Sequence, residues 1–447
     1  MTQRQLDQYF DFLRFPSVST DPAHKADVAA CAEWLVAKFH ALGLAATLHP
    51  TAGHPIVVAK NEHRPGRRTV MIYGHYDVQP PDPLNKWDTP PFEPAVRNGI
   101  VFARGAADNK GQIFSHIIGV EEGLRADGEL PVNLTFLIEG EEEIGSKALE
   151  GFLDQERESL RCDVIVVSDS GMVAPNVPTF TYGLRGLAAL ELRVQGSESD
   201  LHSGIFGGAV LNPGIALAKM LASLHDENGR VQIPGFYDFV RPLAEWERAE
   251  MEKMPFGDEQ IHKITGVPEL FGEEGFSAVE RTCARPTAEV NGLTCGFQGS
   301  GIKTVLPAIA VAKLSFRLVP DQTPDEIYAK AISHFEAICP AAVTLELIRE
   351  QSGDPYLVEP HSEYGLAAQR ALRHTFPNHD IAVLREGGSI PIVNTFRQIL
   401  GVDTLLLGLA LPDCAAHGPN ENFPIANFEA GIRLNQILLR ELSAKRS

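Results

Sequence analysis

Two textures of hydrophobic and polar positions alternate along the chain. The first stretch has helical spacing: Leu6, Tyr9, Phe10 and Leu13 share a face, and Pro16 ends the run. A second helix is predicted from about Asp27 to Leu42, with Val28, Cys31, Trp34, Leu35 and Phe39 on one side and Gly43 as its C-cap. Then come short, continuous apolar runs at Thr69–Tyr73, Val132–Ile138, Val164–Val167 and Thr404–Leu409. Helical segments at about Lys110–Leu124, Ser362–His374 and Phe428–Leu442 separate or follow them. Runs of this kind predict buried strands of a mainly parallel sheet with helices on its faces, an α/β layer architecture.

The middle of the chain reads differently. Leu187–Val194 and Ala308–Val319 alternate as half-exposed strands do, helices are predicted at about Pro213–His225 and Pro324–Ile338, and a strand follows at Val343–Ile348. This order predicts a small α+β domain with one sheet face covered. The segment of about 227–301 carries no pattern from which elements can be assigned.

A length of 447 residues gives room for two or three domains and a large core. With 44% hydrophobic and 22% charged residues the composition is that of a globular protein, which excludes intrinsic disorder. No apolar run approaches the roughly 20 residues of a membrane span. The 39 basic and 58 acidic residues leave a formal net charge of −19, against a nucleic-acid or anionic-membrane partner. Six scattered cysteines form no C-x-x-C pair, so neither a disulfide framework nor a thiolate zinc site is expected. Met1–Leu6 opens no signal or transit peptide, and the cytoplasm is the expected location.

The candidate chemistry lies where polar residues meet the predicted strands. The first strand runs into Gly74-His75-Tyr76-Asp77 and the second into the acidic run Glu139–Glu143. The third ends at Ser168-Asp169-Ser170, and Asp413–Gly418, with His417, follows the fourth. In an open parallel sheet ligands bind outside the carboxyl ends of the strands, so all four clusters converge on one rim. Arg104–Gly111 adds a Gly-rich turn leading into a helix. Each cluster alone has a structural reading: a histidine in the core, a solvated acidic loop, an aspartate capping a helix. Together they make a metal site of nitrogen and oxygen ligands, suited to zinc, manganese or cobalt. Asp77, two residues after His75, is placed to take the other ring N–H of that histidine. Of the adjacent Glu142 and Glu143, one can ligate metal while the other deprotonates water.

These residues resemble the M20 metallopeptidases, and within them the carnosinase-like, cytosolic non-specific dipeptidase branch. The motifs are Gly74–Pro80, Gly105–Gly111 and Glu142–Ser146, joined by Thr181–Gly186, Asp200–Gly204, Gly299–Val305, Phe316–Pro320 and Arg385–Pro391. The resemblance implies two divalent metal ions sharing Asp108, one held also by His75 and Asp169, the other by Glu143 and His417. Glu142 is then the general base that activates a metal-bridging water, and the Asp108–Asn109 bond is cis in similar enzymes. It implies a discontinuous catalytic domain, about 1–186 plus 354–447, and an inserted ferredoxin-like lid and dimerisation domain, about 187–353. His202 is expected to polarise the substrate carbonyl in the partner subunit of a homodimer. Arg317, helped by Thr304 and Ser389, is expected to bind the C-terminal carboxylate of a dipeptide. Read without the family, Arg317 is a surface charge on an edge strand. The chain departs from carnosinase-like enzymes at Gln351-Ser352-Gly353, where they tend to have His-Gly-Gly. Two other readings stand beside a dipeptidase: an N-acyl or N-carbamoyl amino acid amidohydrolase, and an inactive relative serving as a binding or scaffold protein.

Overall fold

The computed structural model describes residues 1–255, 257–388 and 390–444. The chain divides into two compact units: Met1–Tyr182 with Val358–Leu384 and Ile392–Ser447, and Gly183–Leu357 with Arg385–Pro391.

In the first unit the four apolar runs are strands Thr69–His75, Asn133–Glu139, Val164–Val167 and Thr404–Leu406. They lie side by side in the order Asn133–Glu139, Thr69–His75, Val164–Val167, Thr404–Leu406, and every pairing among them is parallel. Nearly every residue in them is buried, as expected of strands covered on both faces. Antiparallel strands flank this centre: Ala45–His49 and Ile56–Lys60 on one side, Thr179–Leu184 on the other. These three were not read from the sequence. Ala45–His49 is only partly buried and alternates weakly, so its pattern is that of a loop.

Local chemistry sets the helix ends. Thr2 and Gln5 form a reciprocal capping box at the start of Gln3–Leu13. Ser362 caps Glu363–Thr375, and Gly128, at φ +76°, closes Lys110–Asp127. Helices Lys110–Asp127 and Ile425–Ser443 pack on each other, and the Tyr9 ring stacks on Phe428 with centroids 4.8 Å apart. Among the described residues no helix is long and apolar enough to cross a membrane.

In the second unit, strands Gly186–Gln195, Thr287–Cys295, Ile309–Leu318 and Thr344–Gly353 form an antiparallel sheet, with the second and fourth at its edges. Helices Pro213–Ala222 and Pro324–Ile338 supply a core over one face, where Ala188, Leu190, Leu192, Val194, Leu314 and Phe316 are buried. This strand order with two covering helices is the ferredoxin-like arrangement. Among the described residues, the unassigned 227–301 segment holds three short helices, Glu245–Glu252, Asp258–Thr265 and Ala278–Ala284, before the edge strand Thr287–Cys295. Part of it is gathered on buried Glu273, which accepts from Arg285 Nε at 2.7 Å and Nη2 at 2.9 Å and from Arg230 Nη1 at 2.8 Å. Ion pairs between residues this far apart leave no periodic trace in a sequence.

Candidate active site

The parallel register brings the polar clusters to one rim. His75 pairs with Glu139 at the strand ends, and Val167 pairs with Leu406. From there the chain supplies two groups of three side chains that could each hold a metal ion, His75–Asp108–Asp169 and Asp108–Glu143–His417. Within each group the donor atoms lie within 4.8 Å of one another. Asp108 belongs to both, and its two oxygens divide the work: Oδ1 is 3.1 Å from His75 Nε2, and Oδ2 is 2.9 Å from His417 Nε2. Asp169 Oδ1 is 3.6 Å from His75, and Glu143 Oε2 is 3.4 Å from His417. The Asp108–Asn109 peptide is cis.

Of the acidic run, only two side chains are left for chemistry. Glu139 accepts from Tyr73 Oη at 2.6 Å and Ser146 Oγ at 2.8 Å, and Glu141 accepts the backbone N–H groups of His54 and Ala148 at 3.1 Å. Glu143 takes its place among the ligands, steadied by Gln79 Nε2 at 2.8 Å. Glu142 stands outside both ligand groups.

The electrostatics describe a place made for cations. Burial, with the charges of Asp169, Glu143 and Asp108, pushes Glu142 up to about 9 against the opposing pull of His75. Burial and Asp108 push Glu143 up to about 7. Burial would raise Asp108 too, but hydrogen bonds from His417 and His75 outweigh it and hold that carboxyl below the usual range. The Asp108 hydrogen bond lifts His417 to about 9. Crowded carboxylates and imidazoles, with no thiolate, form a nitrogen and oxygen donor set that fits a pair of divalent ions with one shared carboxylate.

Asp77 holds this rim in two directions. His75 Nδ1 lies 3.1 Å from the Asp77 carbonyl and 3.3 Å from its Oδ1, so the expected contact is made with backbone and carboxylate together. The carboxylate also accepts the N–H groups of Glu142 and Glu143, each at 3.2 Å. Asp169 caps no helix; it accepts Asn109 Nδ2 at 2.9 Å, and the same amide donates to the Ser168 carbonyl at 2.6 Å.

Sequence reasoning missed one residue that matters here. Glu421 is fully buried beside Arg104, with Oε2 2.7 Å from Nη1. Its carboxylate also accepts the N–H groups of Gly105, Ala107 and Asp108, each at 2.9 Å. The only signal was a glutamate four residues past His417, which reads as surface.

The remaining candidates belong to the second unit. His202 and Thr304 come together across a short antiparallel pairing of Leu201–His202 with Val305–Leu306, where Ser203 N–H donates to the Thr304 carbonyl at 3.1 Å. His202 is exposed, and its Nδ1 accepts Gly204 N–H at 3.0 Å. The proton of the neutral ring is therefore on Nε2. Arg317 lies on Ile309–Leu318, a central strand between Thr287–Cys295 and Gly186–Gln195, so it is not an edge-strand charge. It is half-buried and lines two hollows of about 430 and 370 Å³. Ser389 lies outside the described residues.

Comparison with known proteins agrees with this geometry. The sequence profile of Peptidase family M20/M25/M40 matches residues 71–441. Cys-Gly metallodipeptidase DUG1 of Candida albicans is 32% identical over 443 residues, covering 94% of this chain and 91% of its own length. Beta-Ala-His dipeptidase of Mus musculus is 32% identical, covering 88% and 81%. Among solved structures, an M20 family metallo-carboxypeptidase of Sulfolobus solfataricus superposes with a TM-score of 0.84 at 32% identity, covering 99% of this chain and all of that one.

Proposed function

Because the chain belongs to peptidase family M20/M25/M40, we propose that it is a metal-dependent dipeptidase that cleaves short peptides with a free C-terminal carboxylate. The observation that carries this reading is Asp108, whose two oxygens face the two ligand groups, while Glu142, a member of neither, lies within electrostatic reach of His75, Asp169, Glu143 and Asp108.

His75, Asp108 and Asp169 would hold one divalent ion and Asp108, Glu143 and His417 a second, with zinc or manganese as the expected metals. Such ions supply Lewis acidity, which polarises a peptide carbonyl and makes water more acidic. Glu142 accepts the proton of the attacking water on its carboxylate and returns it to the leaving amine nitrogen. Asp77 sets the ring of His75 and the backbone of the Glu142–Glu143 turn together. His202, with its proton on Nε2, is a hydrogen-bond donor for the developing oxyanion. Arg317, with Thr304 and Ser389, binds the substrate carboxylate, for which a guanidinium is the matching partner.

We further assign the catalytic domain to residues 1–186 and 354–447 and the lid and dimerisation domain to 187–353. His202 serves the partner subunit of a homodimer, in the cytoplasm. The relative named as a metallo-carboxypeptidase supports a second reading, in which the C-terminal residue is removed from longer peptides.

The test is a substrate panel run before and after chelation, with metal analysis of the same samples. Dipeptides are expected to be cleaved, N-acyl amino acids spared, and activity lost on chelation and restored by manganese or zinc. Cleavage of tripeptides and longer peptides at the C-terminal bond would establish the second reading, and preference for N-acyl amino acids would replace both. Full activity in metal-free protein would overturn the assignment.

A further inference from the structure

Arg104 and Glu421 form a buried ion pair that touches neither the expected substrate groups nor the ligand side chains directly, except through backbone. The Arg104 side chain is 1% exposed and that of Glu421 0%. A buried pair of this kind is rarely favoured over apolar packing for stability alone. Its contacts point to another role. One Glu421 oxygen accepts the N–H groups of Ala107 and Asp108, and the other accepts that of Gly105 and Arg104 Nη1. The Gly-rich turn thus wraps around the carboxylate, with Gly105 at φ +84°, where a Cβ would meet Val78 Cγ1 at 2.9 Å. Arg104 Nη2 in turn donates to the carbonyls of Pro80 and His417, both at 3.1 Å. His417 sits at φ +62°, a left-handed conformation that few non-glycine residues adopt.

These contacts close a ring: Asp108 to Glu421 by backbone, Glu421 to Arg104, Arg104 to the His417 carbonyl, and His417 Nε2 back to Asp108 Oδ2. The other ligand group has its own supports. Asn109 holds Asp169, Asp77 holds His75, and neither contact involves Arg104. We propose that Arg104 and Glu421 are positioning residues that set His417 against Asp108, and that Arg104, which reaches His417 and not the shared Asp108, governs the Asp108–Glu143–His417 site selectively. This rests on the two-ion reading above.

The experiment titrates chelator-stripped full-length protein with Mn(II) by calorimetry. The parent is expected to take up two ions per chain; fewer than two would sink the two-ion reading itself. Arg104→Lys keeps a positive charge beside Glu421, but one ammonium cannot also reach the Pro80 and His417 carbonyls. It is expected to bind one ion within about threefold of the parent affinity and the other at least ~10-fold more weakly. Equal weakening of both ions, no weakening, or a metal-free variant that fails to fold would each show a general strut or no role, and would overturn the proposal. A second measurement needs no variant. Hydrogen exchange in the stripped parent is expected to find the Gly105, Ala107 and Asp108 amides still protected, because Glu421 holds them. Exchange at the unprotected rate after stripping would mean that ions hold the turn, and would equally overturn the proposal.

Discussion

The Asp77 carboxylate accepts the backbone N–H of Glu142 at 3.2 Å, which ties the proposed base to the strand end that carries His75. An asparagine at position 77 offers one acceptor oxygen where two are used. Asp77→Asn is therefore expected to release one of the two turn amides and to weaken the hold on His75. Losses of such supporting contacts typically cost about 10–100-fold in metal affinity or activity. Parallel measurement of kcat and Mn(II) affinity checks this, and a variant equal to the parent in both would remove Asp77 from the site.

Glu142 belongs to neither ligand group, so Glu142→Gln should leave metal content at two ions per chain while kcat falls by roughly 10²–10⁴-fold. Metal analysis and turnover on the same preparation decide it. Loss of an ion in this variant would make Glu142 a ligand, and unchanged turnover would make it a bystander.

His202 lies in the unit that does not carry the ligand groups. His202→Ala is expected to lower kcat by about 10²–10³-fold, the usual cost of losing one oxyanion donor. Refolding that variant together with Glu142→Gln chains should then restore activity. In a mixed dimer the intact Glu142 of one chain meets the intact His202 of the other. No recovery in the mixture would place His202 within its own chain's site.

His116 is a fully buried imidazole that donates from Nε2 to Ser168 Oγ at 2.8 Å and accepts Asn435 Nδ2 at 3.0 Å on Nδ1. Ser168 Oγ–H donates in turn to the Leu407 carbonyl at 2.7 Å, which settles the tautomer. Burial pushes His116 down to about 4 from 6.5. Between those values the unfolded chain binds the proton and the folded one does not, so stability falls as pH falls through that window. For this group alone the loss between pH 7 and pH 5 is roughly 2 kcal/mol. Denaturant melts of chelated protein at both pH values should show it, and His116→Gln should remove that share of the slope. An unchanged slope would mean that His116 titrates normally.

Much of the first unit was legible because its logic is periodic. Four continuous apolar runs read as covered strands, and parallel strands put every following polar residue on one rim; His75, Asp169, the Glu142–Glu143 pair and His417 followed from that. Asp108 was placed by its motif, since a Gly-rich turn has no periodicity of its own. What stayed hidden was long-range pairing of buried charge. Arg104 and Glu421 are 317 positions apart, and each alone reads as surface. The same holds for Glu273 with Arg230 and Arg285, whose pairing organises a segment the hydrophobic pattern could not resolve. Arg317 was misplaced at an edge for a related reason: the strand that covers its flank, Thr287–Cys295, lies in that unread segment.

The ladder that starts and ends the Gly183–Leu357 stretch of the second unit has an architectural consequence. Leu187 pairs with Gly353, and the pairing continues as Leu184 with Tyr356 and Gly183 with Leu357. Chain entry and chain exit are thus neighbours on adjacent strands. For the chain on either side, this stretch closes like a tight hairpin and not like a long loop, so it carries little loop-closure entropy. The size and contents of that stretch can change without moving the two ends that the chain must join, provided that the separate stretch Arg385–Pro391 keeps its place in the same unit.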